Sequence, residues 1–132
     1  PAEFERRSVY LIAKRNLRLP FMEVFDSPDL QVSCPRRESS THAPQALEML
    51  NGTMANQQAK RLSQRLVRDA GKNRRKQIDL AYELVAGRSP KPTELQLALK
   101  FLDTNSKSLG EDSAREQFAL AMFNLNAFLY VN

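Results

Sequence analysis

The residues with the widest chemical repertoire stand close together: Cys34 and His42, the only cysteine and the only histidine, with Arg36 and Arg37 between them. A thiolate beside an imidazole is a nucleophile with its base. Here the two are separated by a proline-broken, irregular stretch with no evident third group to orient the base, so neither is assigned a catalytic role. A metal site would have to join His42 to Asp26 or Asp29, at no recognised ligand spacing, and no metal ligand is assigned. The lone cysteine excludes an intrachain disulfide, a Cys-rich zinc site and a two-cysteine haem attachment, and no cofactor is expected in this chain. Arg36 and Arg37 are the stronger pair. A guanidinium fork binds carboxylate or phosphate through two parallel hydrogen bonds and keeps its charge at any working pH. With Asp26, Gln45 and Asn51 they make the candidate site, either an anion anchor or a clasp that ties down residues 25–51.

A second chemical feature is the charge run over residues 60–76, with eight basic residues against the single acid Asp69. Lys60, Arg61, Arg65, Arg68, Arg74 and Arg75 are its candidate patch. The rest of the chain holds 12 basic and 14 acidic residues, so the net charge of +5 is local to this run. Such a patch attracts phosphate backbones or acidic partners, or is simply a solvated helix face. It contains no aromatic residue for stacking on bases and no known reading motif, which weighs against nucleic acid as the partner.

These residues must be positioned by helices. Residues 53–70 place Ala55, Ala59, Leu62, Leu66 and Ala70 on one stripe, with Thr53 as the expected cap and Gly71 as the stop. Asn73 is expected to cap the next helix, whose stripe is Ile78, Ala81, Tyr82 and Val85 up to Gly87. Pro92 and Glu94 open a third, with Leu95, Ala98, Leu99 and Leu102 inward. A polar loop is expected over 104–112, then a Ser113/Glu116 capping box and a last helix carrying Phe118, Ala121, Met122, Leu125 and Leu129, widened by Phe123 and Phe128. Four apolar stripes joined by short connections bury one another as an antiparallel helical bundle.

Before residue 53 the pattern is different. Residues 21–25 allow a turn or two of helix after Pro20, and residues 26–44 read as irregular chain. Pro44 is expected at a first helical position, with Ala46, Leu47 and Leu50 inward and Gly52 as a left-handed cap. Residues 9–13 fit a helix or a short strand, and the strand reading would pair them with residues 30–34. The fold class is therefore mainly α: a bundle of about four to five helices preceded by an irregular segment with room for a two-stranded pairing. The chain reads as one domain or domain fragment, 1–52 irregular with short helices and 53–132 the bundle. A chain of 132 residues has material for one core. No apolar run reaches the roughly 18 residues that span a bilayer. Pro1 in place of Met leads us to expect a processed product or a piece of a longer protein.

The blocks RRSVYLIAKRN, FDSPD, SCPRR, STHAPQALEMLN and LNAFLYVN, in that order, resemble the C-terminal domain of unknown function of large planctomycete-type proteins that often carry a cytochrome-c-like domain upstream. GRSPKPTEL resembles the connector of that family. The resemblance covers nearly the whole chain and implies a fragment of a larger, exported or periplasmic protein; it implies no reaction. It aligns Asp26, Cys34, Arg36, Arg37, Gln45 and Asn51 with family positions, and puts His42 at a variable one.

Three functions follow from these features. The first is a non-catalytic structural or interaction module whose partner is an upstream domain of the same polypeptide or another protein. Isolated, it is expected to dimerise or to expose an apolar patch. The second is an accessory part of a redox or hydrolytic enzyme, with Arg36 and Arg37 anchoring an anion. The third is nucleic-acid binding through the basic run.

Overall fold

The computed structural model describes residues 10, 20–27 and 42–129. Its contacts divide the chain into two units, Pro1–Gln45 and Ala46–Asn132. Among the described residues every regular element is a helix, in agreement with the apolar spacing. The pairing considered for residues 9–13 and 30–34 lies outside the described residues, except for Tyr10, which is exposed.

In the first unit, α1 (Pro20–Val24) is a single turn and a half. The rings of Phe21 and Phe25 stack in a tilted pair with centroids 4.8 Å apart. The helix ends where the Asp-Ser-Pro sequence predicts. Ser27 N–H donates to the Met22 carbonyl at 2.9 Å and Asp26 N–H to the Glu23 carbonyl at 3.2 Å, while Asp26 adopts a left-handed φ of 56°. That is a Schellman termination, and a short polar side chain such as aspartate tolerates its left-handed residue better than most.

α2 (His42–Asn51) begins two residues before the expected Pro44. Pro44 still fits, because an N–H in the first helical turn has no intrahelical acceptor to lose. Its expected inner stripe is corrected. Leu47 is 60% and Leu50 46% exposed, Ala46 is exposed, and Met49 at 6% is the residue buried. The side of α2 that is covered carries Gln45, Glu48 and Met49, and Asn124 Nδ2 reaches the Met49 carbonyl at 3.4 Å. The left-handed cap expected at Gly52 and the N-cap expected at Thr53 are also corrected, since Gly52 has φ −63° and ψ 139° and is itself the N-cap of α3 (Thr53–Ala70), with Thr53 its first helical residue. Glycine is required there for space. A Cβ on Gly52 would collide with the Glu48 carbonyl oxygen and carboxylate, because Gly52 N–H donates to that carbonyl at 2.7 Å.

The second unit is built on α3, α4 (Arg74–Ala86), α5 (Pro92–Leu109) and α6 (Glu111–Phe123), followed by the single turn α7 (Asn126–Leu129). The expected α4 cap is present, with Asn73 Oδ1 accepting from Lys76 N–H at 3.2 Å. Gly71 and Gly87 close α3 and α4 with φ of 66° and 65°, the left-handed region that a side chain resists. Contacts at both ends fix the helix directions. Arg74, at the start of α4, pairs with Asp103 near the end of α5 and with Glu111 at the start of α6. Arg88, past the end of α4, pairs with Glu94 at the start of α5. Asn124, past the end of α6, bonds to Met49 beside the start of α3. Successive helices thus run up and down, and α3 and α6 pack as antiparallel neighbours.

The core follows the expected stripes of α3, α4 and α5, but that of α6 is corrected: Ala114, Phe118, Ala119 and Met122 are buried and the expected Ala121 is exposed. Leu66, Ile78, Ala81, Tyr82, Leu102 and Phe118 are its buried centre, and Leu62, Val85, Leu95 and Leu99 pack around it. Two buried polar residues break the apolar pattern. Ser63 turns its hydroxyl back to the Lys60 carbonyl at 2.8 Å. Gln77 donates from Nε2 to the Gly71 carbonyl and so braces the α3–α4 turn from inside, while its Oε1 accepts from no described residue.

Three expectations for the last helices are corrected. The polar loop at 104–112 is helix except for Gly110, because its polar side chains bond within their own turn. Asn105 Nδ2 donates to the Phe101 carbonyl at 2.9 Å, Ser106 Oγ to that of Asp103 at 3.3 Å and Ser108 Oγ to that of Asn105 at 3.2 Å. Arg74 adds a bond from Nη2 to Ser106 Oγ at 3.1 Å and staples that end of the bundle. The N-cap of α6 is accordingly Gly110, which leaves Ser113 inside the first turn, not at the cap. The final helix is interrupted at Asn124, whose Nδ2 returns to the Leu120 carbonyl at 2.9 Å, and Phe123 and Phe128 stack across the break at 5.3 Å.

Candidate binding cleft

Of the clasp read from the sequence, the structure brings together Gln45 and Asp26, with Gln45 Nε2 donating to Asp26 Oδ2 at 3.4 Å. Arg36, Arg37 and Cys34 lie outside the described residues, as does the side chain of His42. Asn51 ends α2 in the second unit, where it joins a different group of residues.

Three arginines of the basic run are committed to internal carboxylates. Arg65 and Arg68 both bond to Asp69, at 3.2 and 2.7 Å. The Asp69 carboxyl is lowered below the usual carboxylate range mainly by its hydrogen bond to Arg68, whose guanidinium is raised in return. Arg74 is occupied by Asp103, Glu111 and Ser106. Lys60, Lys72, Arg75 and Lys76 make no ion pair with any described residue, but Lys60 stands apart from the other three by a dozen or more positions of chain. A helix whose arginines answer its own and its neighbours' acids presents much less positive field than its composition suggests.

A preformed cleft of 610 Å³ lies between α3 and α6. Four polar residues of α3 line it, Thr53, Asn56, Gln57 and Lys60. Four of α6 face them, Ser113, Glu116, Gln117 and Leu120, with Ala59 and Asn51 completing the lining. Each set follows the i, i+3, i+4, i+7 spacing that puts side chains on one helix face. The cleft is therefore the polar counterpart of the apolar seam, formed where two neighbouring helices turn hydrophilic stripes toward the same gap. Antiparallel packing draws it out along the helix pair. Its polar groups are mostly carboxamides and hydroxyls, each both donor and acceptor. Asn56 is held in place by bonds from its Nδ2 to the carbonyls of Gly52 at 3.0 Å and Leu50 at 3.4 Å, which leaves Oδ1 as an acceptor. Lys60 and Glu116 project from opposite walls without pairing to each other or to any described residue. Sequence reasoning passed over this site because its residues read as ordinary helix surface. The signal available was the repetition of one polar spacing on two helices.

A second polar constellation, also not anticipated as such, closes the α4–α5 connector. Arg88 holds Glu94 in a two-point fork, with Nη1 to Oε2 at 2.8 Å and Nη2 to Oε1 at 2.7 Å, and lies 5.6 Å from the centre of the Tyr82 ring. Glu94 also accepts from Lys91 N–H at 2.7 Å. The hydrogen bond from Arg88, helped by that amide, lowers the Glu94 carboxyl to about 2. Burial, followed by the Glu94 charge, raises the Tyr82 phenol. The fork is saturated by internal partners and serves the fold.

By architecture the protein is a helical bundle domain with an open polar cleft along one helix pair, and among its described residues no helix is long and apolar enough to cross a membrane. The chain belongs to the PSD1 family, described as a protein of unknown function (DUF1553), whose model matches residues 2–102. The matched stretch includes α1 to α4 and most of α5, and the α6 wall of the cleft lies beyond it. Neither a curated protein nor a solved structure matches the chain.

Proposed function

We propose that this chain is a non-catalytic structural or protein-interaction module at the C-terminus of a larger exported protein, and that it holds its partner in the cleft between α3 and α6. The observation that carries the reading is the makeup of that cleft, in which carboxamides from both walls outnumber every other polar group. A carboxamide holds hydrogen bonds but neither takes up nor releases a proton near neutral pH, so such a lining suits binding better than acid–base chemistry. The partner is an upstream domain of the same polypeptide or a separate protein. The larger exported protein, with a cytochrome-c-like domain upstream, rests on the sequence resemblance. Exposed Leu47 and Leu50 on α2, beside the same end of α3, are consistent with a surface that is covered in the assembled protein.

The test is a photo-reactive benzophenone side chain placed at Gln57 in the intact polypeptide and irradiated in its own host. A discrete cross-link into another segment or another protein, absent when the probe is moved to exposed Leu84 on α4, is the expected result. Equal background labelling from both positions would overturn the proposal.

A further inference from the structure

The cleft's chemistry also identifies what kind of partner it takes. We infer that the α3–α6 cleft binds an extended polypeptide segment and reads it mainly through its main chain. This rests on the interaction reading above and gives it an occupant.

A carboxamide carries one carbonyl and one N–H₂ side by side, the same donor and acceptor that a peptide group presents. Asn51 and Gln57 supply two such groups from the α2–α3 side and Asn56 adds its Oδ1 as an acceptor, while Gln117 supplies one from α6. An extended chain shows its N–H and C=O groups alternately on two edges, so a cleft with amides on both walls satisfies both edges at once. Lys60 and Glu116 fit the same scheme. The ammonium on one wall donates to a carbonyl and the carboxylate on the other accepts an N–H, which explains two opposite charges that share a cleft without pairing. Thr53 to Lys60 is seven residues of helix, about 10 Å of rise, and an extended peptide at roughly 3.3 Å per residue sets three residues along it. Recognition through main-chain hydrogen bonds gives affinity with loose side-chain selectivity, as in strand addition to a sheet edge.

Other ligand classes fit less well. The lining holds no aromatic ring on which a sugar face or a nucleobase could stack, and its single cation is offset by a carboxylate that repels phosphate. Only Ala59 and Leu120 are apolar, too little surface for an acyl chain.

A phage-displayed random 12-residue peptide library, panned against the full chain, tests the inference. Enriched peptides are then resynthesised with and without N-methylation of successive main-chain amides, and binding is measured by titration calorimetry. Gln57 and Gln117 are exposed, so their alanine variants are expected to keep the fold, which circular dichroism verifies. The expected result is selection of peptides whose affinity falls about 5- to 10-fold with Gln57→Ala or Gln117→Ala and at least tenfold with N-methylation at two or more positions. A scrambled sequence should retain most of the binding. Failure to enrich any peptide would overturn the inference. So would peptides indifferent to both the variants and N-methylation, or chitotriose binding in the cleft where peptides do not. A specific cross-link from Gln57 with any of those results would leave the module reading standing and remove only the extended-peptide occupant.

Discussion

Replacing Glu94 with glutamine isolates the electrostatic part of the α4–α5 connector, because the side chain keeps its shape and its bond to Lys91 N–H while losing its charge. A carboxyl at about 2 instead of 4.5 corresponds to about 3.4 kcal/mol if nothing were screened. Arg88 is 39% and Glu94 26% exposed, so water and salt screen much of that, and about 1 kcal/mol is the expected share for a well-formed fork. The sign follows from the direction of the shift. A carboxyl lowered on folding stabilises the native state above its ordinary range, and the contribution is lost as pH falls from about 4.5 through 2. Urea denaturation of the parent chain and Glu94→Gln at pH 7 and at pH 2 should therefore show a gap of about 1 kcal/mol at pH 7 that closes at pH 2. In thermal melts the pH 7 gap would be about 3–5 °C for a chain of 132 residues. Other carboxylates titrate over the same range in both proteins and cancel in the difference. A gap of the same size at both pH values would refute the reasoning, since the substitution would then act through packing or helix capping and not through the charge.

Four further outcomes are expected. Gly52→Ala should cost about 1–3 kcal/mol in urea denaturation, because the added methyl meets the Glu48 carbonyl and the α2–α3 junction must shift. Leu66→Ala should cost about 2–5 kcal/mol, since the side chain is fully buried in the bundle centre. Arg74→Ala should lower stability by about 1 kcal/mol and speed amide exchange around Gly110 more than elsewhere, because it frees the staple between α5 and α6; high salt should shrink the effect. Gel retardation of double-stranded DNA at low salt should be weak and unchanged by Arg68→Ala, whose guanidinium is already held by Asp69.

What was legible in the residues was the seam of the bundle. Ala55, Ala59, Leu66, Ile78, Ala81, Tyr82, Ala98 and Leu102 repeat at helical spacing, and burying them leaves few arrangements open for helices joined by short connections. Helix ends were legible only where one side chain or one backbone angle decides them, as at Asn73, Gly71 and Gly87. Where the outcome depends on competition between local bonds it was not. Thr104 to Ser108 carry the composition of a loop, yet the side chains of Asn105, Ser106 and Ser108 bond back to carbonyls three and four residues earlier and the stretch stays helical. Gly52 was assigned a conformational role when its role is steric, and only the position of Glu48 distinguishes the two.

The cleft was hidden for a related reason. Periodicity identifies the face of a helix that leaves water, and it is silent about which of the remaining faces meets another helix's polar face. Thr53, Asn56, Gln57 and Lys60 on one helix and Ser113, Glu116, Gln117 and Leu120 on another acquire meaning only once α3 and α6 are neighbours. The same pairing lowers the apparent weight of the basic run. Of its arginines, Arg65, Arg68 and Arg74 are answered by acids, two from a residue inside the run and one from helices far along the chain. Charge counted along a sequence overstates the field wherever folding supplies the counter-ion. Lys60 escapes that neutralisation: Glu116 lines the same cleft and does not bond to it. Two opposite charges that share a cleft unpaired are more informative about binding than eight like charges in a row, because the attraction they forgo is available to a ligand that can bridge them.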